Sequence, residues 1–511
     1  MTEPDNLPSR RANRGKRSAR TGASAKKATA PASAAVDPLT GEPIAAAETS
    51  GAGGFFAKHS TALLASSLGV VFLLLGTGAV FAGAAFGDSS PEPEPTTSAV
   101  VVSGRAVPET IPAASRLRTC NVSALASDPR LREFHGVVMN ASSGEVLFDR
   151  AATTPARTGS VLKVITASAA LAALGPDYQI TTKVVEGSRP GSIVLVGGGD
   201  PTLSRVSGET FYKGAPKLST LAANAKAAYE AKYPDVPITE IVLDSTLWNI
   251  ADRWDPAWDR KGIREGYHSE VVALQVDGDR NDPSRSTSPR STDAIGRAGA
   301  AFADAMGLSG VSITRGSAVS QVSLAEVKSQ PVSTLVGQML LQSDNTLGEQ
   351  LARLVSIKLG MGGSAESLSR AIPAALELYE IPTTGMLIRD GSGLSRENAV
   401  PPLYIAQLMV KVLNGSNSLS FVYNSLPVAG KSGTLASRFT GSSAIARGAV
   451  TAKTGWIETA YSLGGAVRAA DGSTLTFAFY AIGDGINANA KEAIDALTAG
   501  VFTCGDNLAN I

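Results

Sequence analysis

The sequence is poor in the residues that bind transition metals, with only two cysteines and three histidines among 511 positions. Zinc fingers, iron–sulfur clusters and histidine-rich metal centres need more such ligands, so the counts argue against all three. Lys and Arg total 46 against 45 Asp and Glu, and the formal net charge of +1 gives no overall basic excess that would indicate nucleic-acid binding. Aromatic residues make up only 5% of the chain, which predicts a mainly aliphatic core.

The near-zero net charge conceals an uneven N-terminus. Eight Lys and Arg residues and no acid lie from Arg10 to Lys27, in an Ala-, Ser- and Thr-rich stretch typical of disorder. Residues 60–87 carry no formal charge, and their centre is apolar enough to span a bilayer. Basic residues precede this segment and acidic residues follow it from Asp88, so the positive-inside rule places the N-terminus in the cytoplasm.

Composition therefore predicts a single-pass protein of the cell membrane, with membrane lipid as the partner of its anchor. We expect a disordered basic cytoplasmic tail (1–59), a transmembrane anchor (60–87), an extracytoplasmic Pro-, Ser- and Thr-rich linker (88–116) and an extracytoplasmic folded part from residue 117. A cleaved signal peptide is the alternative, with 82–84 as a tolerable cleavage site. The anchor is favoured because signal peptides span roughly 15–30 residues, whereas a much longer segment precedes this apolar stretch.

The two cysteines lie near the two ends of the folded part, at Cys120 and Cys504. Thiols outside the membrane can pair, and a bond here would close nearly the whole folded part into one loop. We predict this disulfide. The alternative is two unpaired buried thiols.

A nearly uncharged, Ala-rich stretch from Ser160 to Leu174 predicts a helix buried on all sides, ended by Gly175. Lys163 is its one charged residue, and three-residue spacing places it on the same helical face as Ser160. Burial lowers the pKa of a lysine, which then accepts a proton from a hydroxyl group, and helix N-terminal N–H groups stabilise an oxyanion. Ser160 is thus a candidate nucleophile and Lys163 its base. A helix cap beside a snorkelling lysine is the alternative.

Two further motifs follow this Ser-x-x-Lys. Ser343-Asp-Asn345 is the only Ser-x-Asn in the sequence, and Lys453-Thr-Gly455 introduces a predicted C-terminal hairpin. The order Ser-x-x-Lys, Ser-x-Asn, Lys-Thr-Gly is the signature of penicillin-recognising serine enzymes. A competing Lys-Ser-Gly-Thr, at 431–434, precedes a loop-like sequence, so we prefer Lys453.

Each residue of the later motifs has a chemical role in this interpretation. Ser343 transfers a proton to the leaving amine, and Asn345 holds the substrate backbone. Lys453 and the Thr454 hydroxyl bind a terminal carboxylate. His135 and His268 are the only histidines beyond the predicted anchor, and we interpret both as structural or surface residues rather than members of a triad.

With these motifs the chain resembles the class C low-molecular-mass penicillin-binding proteins, which are D-alanyl-D-alanine carboxypeptidases that also act as endopeptidases. The resemblance runs from about Cys120 to Phe502 and includes the turn-like stretches 197–203, 390–396 and 426–430. It implies an α/β fold of the α+β type, in which helices pack on a central antiparallel sheet. This penicillin-binding or transpeptidase-like domain would comprise 117–178 and 323–511, with an inserted domain at 179–322.

The resemblance also implies an activity, namely trimming of peptidoglycan stem peptides that end in D-Ala-D-Ala through an acyl-enzyme on Ser160. Endopeptidase activity and acylation by β-lactam antibiotics are further expectations. No cofactor, metal or nucleic acid is implied. A β-lactamase-like hydrolase and a catalytically silent peptidoglycan-binding scaffold are the alternatives.

The chain departs from the family pattern at several positions. Trp456 follows Lys-Thr-Gly where the family usually has Thr or Ser; its backbone N–H and that of Ser160 would form the oxyanion hole, while its indole would narrow the site. Gly348 stands where the family usually has Ala, and His268 stands where it usually has Gly.

Overall fold

The computed structural model describes residues 117–510. Within this range no helix combines the length and the apolar character needed to cross a membrane. The predicted tail, anchor and linker (1–59, 60–87 and 88–116) lie outside the described residues.

Between residues 117 and 510, ten strands form two five-stranded sheets. The strands are β1 (Glu133–Asn140), β2 (Val146–Arg150), β3 (Thr181–Glu186), β4 (Ser192–Val196), β5 (Glu240–Asp244), β6 (Ser312–Arg315), β7 (Ser323–Lys328), β8 (Val450–Ile457), β9 (Ala460–Arg468) and β10 (Thr474–Ile482). The first sheet has the order β2-β1-β10-β9-β8 and every pair in it is antiparallel, which confirms the predicted central antiparallel sheet. Strand β8 is therefore an edge strand.

Eleven α-helices accompany the sheets in the described range. They are α1 (Ser123–Ala126), α2 (Leu162–Ala173), α3 (Leu218–Lys232), α4 (Lys261–Glu265), α5 (Ala294–Met306), α6 (Val332–Gln342), α7 (Asn345–Lys358), α8 (Leu368–Leu376), α9 (Pro402–Leu413), α10 (Ser420–Ser425) and α11 (Asn489–Cys504). Helices α2 and α6–α9 share one hydrophobic core with a face of the first sheet, while α11 packs in a second core on the opposite face.

Helix α2 is the helix predicted from the apolar stretch. Every residue from Leu162 to Leu171 is buried, and a single 3₁₀ turn, Gly159–Val161, precedes it. The chain leaves the helix at Gly175, whose φ of +88° lies in the left-handed region that glycine adopts at little cost. Because neighbours surround α2 on all sides, its N-terminal residues are held rigidly beside the first sheet.

The second sheet has the order β6-β5-β4-β3-β7 and forms its own core with α3 and α5. Strands β4, β5 and β6 are parallel neighbours, and β3 pairs antiparallel with both β4 and β7. Strand β7, Ser323–Lys328, belongs to this sheet although it follows the predicted boundary at residue 322. The described residues all fall within one compact unit, so the separation into a catalytic and an inserted domain stays a prediction.

The two ends of the described chain are joined covalently. Cys120 and Cys504 form a disulfide across a sequence separation of 384, with Cα atoms 5.4 Å apart. The peptide groups beside it also pair, because Cys120 N donates to Asn507 O at 3.2 Å and Ala509 N donates to Cys120 O at 2.7 Å. The N-terminal segment is thereby fixed to the end of α11.

Candidate active site

The three sequence motifs meet in a cleft of about 570 Å³. Ser160 comes from the 3₁₀ turn before α2, Ser343 and Asn345 from the junction of α6 and α7, and residues 454–456 from the edge strand β8. Lys163 and Lys453 lie beneath this surface with no solvent exposure. The structure thus brings together all the residues predicted from the motifs.

The turn that carries Ser160 is in close contact with β8. A Cβ atom added to Gly159 would lie 2.9 Å from Trp456 N, and one added to Gly455 would lie 3.0 Å from Ser160 N. Gly159 also has a φ of +47°, so glycine is required there on two counts. This approach places the backbone amides of Ser160 and Trp456 side by side, as an oxyanion hole requires.

Three oxygen atoms surround the Lys163 ammonium group. Its Nζ lies 2.9 Å from Ser160 Oγ, 2.7 Å from Asn345 Oδ1 and 2.6 Å from the Ser392 carbonyl oxygen. A neutral amine has two hydrogens and one lone pair. When Asn345 and Ser392 accept the two hydrogens, the lone pair is directed at the Ser160 hydroxyl.

The charge state of Lys163 reflects opposing effects. Burial lowers its pKa from the usual value to about 8, and the carboxylates of Asp390, Glu349 and Asp344, in decreasing order, act in the opposite direction. A pKa of this size leaves an appreciable neutral fraction near neutral pH, which suits a general base.

A buried ion pair fixes the Ser343–Asn345 turn. Asp344 caps α7 by accepting a hydrogen bond from Leu347 N at 2.8 Å, and Arg280 Nη2 donates to its other oxygen at 2.6 Å. Both side chains of the pair are almost fully buried. Ser343 adopts a left-handed backbone with φ of +58°, which turns its hydroxyl toward the cleft.

Lys453 connects the second and third motifs. Its Nζ donates to Ser343 Oγ at 2.9 Å and to the Thr454 carbonyl oxygen at 2.8 Å. Burial and then repulsion from Lys163 lower the pKa of Lys453 well below its usual value. The Thr454 hydroxyl in turn lies 2.8 Å from the hydroxyl of Thr434, which belongs to the competing 431–434 motif.

The mouth of the cleft is aromatic and charged. Trp258 and His268 line it on one side, where His268 stacks on Trp254 with ring centroids 4.6 Å apart. Burial lowers the pKa of His268 to about 3, which favours the neutral form of the ring. Lys261 bridges to Glu458 at 2.5 Å and so joins this wall to the turn after β8.

A family model for the D-Ala-D-Ala carboxypeptidase 3 (S13) family matches residues 118–289 and 280–501. The chain belongs to this family. It is a serine-type D-alanyl-D-alanine carboxypeptidase, and the resemblance inferred from the motifs is confirmed. This carboxypeptidase is 33% identical over 459 residues to carboxypeptidase DacB of Mycolicibacterium smegmatis, covering 86% of this chain and 97% of that protein.

Other relatives agree with this assignment. A D-alanyl-D-alanine carboxypeptidase from an Actinomadura species is 26% identical over 456 residues, covering 73% of this chain and 82% of that protein. The crystal structure of penicillin-binding protein 4 from Haemophilus influenzae superposes with a TM-score of 0.62 at 20% identity, covering 75% of this chain and all of that one. The penicillin-binding fold of the carboxypeptidase is therefore confirmed.

The sequence did not reveal several residues of the carboxypeptidase site. Thr434 reaches the cleft from the motif that we set aside, while Arg280 pairs with Asp344 from outside every motif. The Ser392 carbonyl contributes through its backbone, which leaves no side-chain pattern. The one available signal was the Gly-rich stretch 390–396, which we interpreted only as a loop-shaping turn.

Replacing Trp456 by Thr should widen the carboxypeptidase cleft. The Trp456 side chain is 49% exposed, lines the cleft and lies 6.4 Å from the Tyr461 ring, so removing the indole opens space without changing the backbone N–H. We expect the rate of D-Ala release from stem peptides whose third residue has a bulky side chain to rise about tenfold relative to the rate from stem peptides whose third side chain is unsubstituted. Phe421→Thr, at an exposed aromatic residue outside the cleft lining, is the control. An unchanged preference in Trp456→Thr would contradict this.

Proposed function

We propose that the carboxypeptidase is anchored in the cell membrane and acts outside it on peptidoglycan stem peptides ending in D-Ala-D-Ala. The proposal includes endopeptidase activity on cross-linked stem peptides and acylation by penicillin. The observation that carries the proposed activity is the environment of Lys163, a buried amine with one hydroxyl and two fixed acceptors around its nitrogen. The same geometry supports Ser160 as the nucleophile.

In the acylation step, Ser160 Oγ attacks the carbonyl carbon of the penultimate D-Ala while Lys163 Nζ takes the hydroxyl proton. The carbonyl oxygen becomes an oxyanion that accepts hydrogen bonds from the N–H groups of Ser160 and Trp456. Collapse of this intermediate breaks the C–N bond of the peptide and leaves an ester on Ser160.

The departing D-Ala needs a proton on its nitrogen. Ser343 lies between the cleft and Lys453, whose Nζ contacts the Ser343 hydroxyl. Ser343 is therefore suited to deliver this proton to the amine and to take a replacement proton from the pair formed by Lys453 and Lys163. The terminal carboxylate binds near Lys453 and the Thr454 hydroxyl, and its negative charge favours the protonated form of Lys453. Once the proton taken from Ser160 has left Lys163 for the departing amine, water attacks the ester and Lys163 accepts a proton from that water. The ester C–O bond then breaks, Ser160 Oγ takes this proton from Lys163, and the shortened peptide leaves as a carboxylic acid.

Acylation by β-lactams follows from the same geometry. The β-lactam amide bond and its adjacent carboxylate imitate D-Ala-D-Ala, so Ser160 would open the ring and retain the acyl group. A penicillin-binding protein 4 from Haemophilus influenzae, complexed with a novel β-lactam, shares the fold with a TM-score of 0.58 at 19% identity.

The proposed location rests on the sequence. The uncharged segment 60–87 follows basic residues and precedes acidic ones, and the linker 88–116 would hold the catalytic part away from the bilayer. Recovery of the full-length chain in membranes after alkaline extraction would support the anchor, and release into the wash would contradict it.

Three assays on the full-length chain in detergent test the activity. We expect D-Ala release from a stem pentapeptide, cleavage of a cross-linked stem-peptide dimer, and stable labelling by fluorescent penicillin that unlabelled penicillin prevents. Steady turnover of a chromogenic cephalosporin without a stable label would indicate a β-lactamase. If the folded protein takes up no label, releases no D-Ala and turns over no cephalosporin, the result would indicate a scaffold.

A further inference from the structure

Asp390 lies at the centre of a tight loop beneath the cleft and is only 1% exposed. Both of its oxygens accept hydrogen bonds, and within the described residues it has no ion-pair partner at contact distance. Oδ1 accepts from Ser392 N at 3.2 Å, Gly393 N at 2.7 Å and Asn398 Nδ2 at 2.9 Å. Oδ2 accepts from Ser395 N at 2.5 Å and Trp258 Nε1 at 2.9 Å.

The same loop is fastened to both helices that carry the first two motifs. Gly391 O accepts from Thr166 Oγ1 of α2 at 2.6 Å, and Gly391 N donates to the Glu349 carboxylate of α7 at 3.2 Å. A Cβ atom added to Gly348 would lie 3.1 Å from Gly391 O, so the glycine that replaces the usual Ala there lets the loop lie close to α7. The loop therefore has little freedom to shift.

We propose that Asp390 is a positioning residue that holds the acceptor for the Lys163 amine and the Trp258 wall of the cleft in one rigid unit. The proposal rests on the proposed acylation of Ser160. It gives the stretch 390–396 a function beyond shaping a turn.

The direction of the Lys163 lone pair depends on the two groups that accept the amine hydrogens. When the amine is neutral, the Ser392 carbonyl and Asn345 Oδ1 accept its two hydrogens, so displacement of either acceptor rotates the lone pair away from Ser160. Asp390 holds the amides on both sides of the Ser392 carbonyl, its own residue's N–H and that of Gly393. The position of this carbonyl is thus set by the Asp390 carboxylate.

Asp390 is also connected to the substrate side of the cleft. Trp258 lines the cleft, and its indole N–H donates to Asp390 rather than to solvent. A substrate group that displaces the Trp258 indole would therefore displace the Asp390 carboxylate, which fixes the Ser392 carbonyl that accepts a hydrogen from Lys163. Binding on this wall and orientation of Lys163 are mechanically connected through a single side chain.

Asp390→Asn disrupts this arrangement in either orientation of the amide. All five partners of the carboxylate are donors, so the new NH2 group faces N–H groups whichever oxygen it replaces. The substitution also removes the carboxylate that most raises the pKa of Lys163. The other charged or titratable groups facing Lys163 stay in place, namely Glu349, Asp344, Lys453 and His268.

The test is the rate of penicillin acylation of the full-length chain as a function of pH, normalised to the fraction that finally takes up label. For Asp390→Asn we expect a plateau rate about tenfold lower than that of the wild type. The acid limb of the pH–rate profile, in which the rate rises with pH, should move to lower pH. The reason is that loss of the negative charge lowers the pKa of Lys163. Label uptake by the wild type tests the proposed function itself, whereas the comparison between variants tests this inference.

Asp244→Asn is the matched control. Asp244 is also a buried carboxylate, accepting from Thr246 N at 2.9 Å and Ala318 N at 2.8 Å, but it lies at the end of β5 outside the cleft lining. We expect this variant to keep the wild-type rate and acid limb. A wild-type plateau in Asp390→Asn, or a lower plateau with an unmoved acid limb, would overturn the proposal.

Trp258→Phe tests the connection if Asp390→Asn does not fold. It removes the indole donor and leaves the carboxylate, so we expect a plateau a few-fold lower with the acid limb unmoved, about the size of one lost hydrogen bond. A wild-type plateau in this variant would overturn the proposal.

Discussion

Lys163→Ala is expected to form the acyl-enzyme about 10³-fold more slowly than the wild type, within the range that general base catalysis contributes. Lys163 Nζ is the basic group in contact with Ser160 Oγ, at 2.9 Å. The other buried lysine of the site, Lys453, contacts Ser343 instead and is not placed to take the Ser160 proton. Stopped-flow or gel-based labelling with fluorescent penicillin measures the rate.

The pH dependence gives a second signature of the same residue. Only the neutral amine accepts a proton, and burial lowers the pKa of Lys163 to about 8, so wild-type acylation should rise with pH through that value. Lys163→Ala should lack this rise. Lys431→Ala, in the competing motif, should acylate like the wild type, and Ser160→Ala should take up no label. A rate for Lys163→Ala within threefold of the wild type would contradict the assignment of the base.

Loss of the disulfide is expected to lower the free energy of unfolding by on the order of 5 kcal/mol. The bond between Cys120 and Cys504 closes a loop with a sequence separation of 384, so its removal frees a very long unfolded chain. We expect Cys504→Ser to unfold at a markedly lower denaturant concentration than the wild type. Guanidinium unfolding followed by intrinsic fluorescence measures the difference.

Reductant provides the control for this prediction. Reduction should shift the unfolding midpoint of the wild type to that of Cys504→Ser, and it should leave the Cys120→Ser/Cys504→Ser variant unchanged. Equal midpoints for oxidised and reduced wild type would show that the bond does not contribute to stability.

Local patterns were sufficient to predict the elements that carry the chemistry. The apolar, Ala-rich stretch around Lys163 predicted a buried helix, and two apolar stretches on both sides of a tight turn predicted the C-terminal hairpin of β9 and β10. The order of the three motifs then predicted that Ser343 and Lys453 lie in the same site as Ser160. Each of these residues has a separate chemical role in that site.

Contacts between distant segments could not be predicted in this way. Asp390 and Trp258 are 132 positions apart, and Arg280 and Asp344 are 64 apart, so these pairs depend on how whole elements pack. Thr434 was missed for a related reason, because its loop-like surroundings gave no sign that the loop folds back over β8. Strand β7 joined the second sheet through pairing with β3, which no local pattern specifies.

The pairing of β1 with β10 has a consequence for biogenesis. Glu133 lies opposite Ile482, so β1, which can pair with β2 at once, lacks its neighbour on the other side until nearly the entire polypeptide has been synthesised. Such a high contact order makes closure of the sheet slow and late. The edge strand that bears Lys453 also comes from this last portion, so a nascent or truncated chain has no assembled nucleophile site. Activity would therefore begin only when nearly the whole chain has been synthesised and folded.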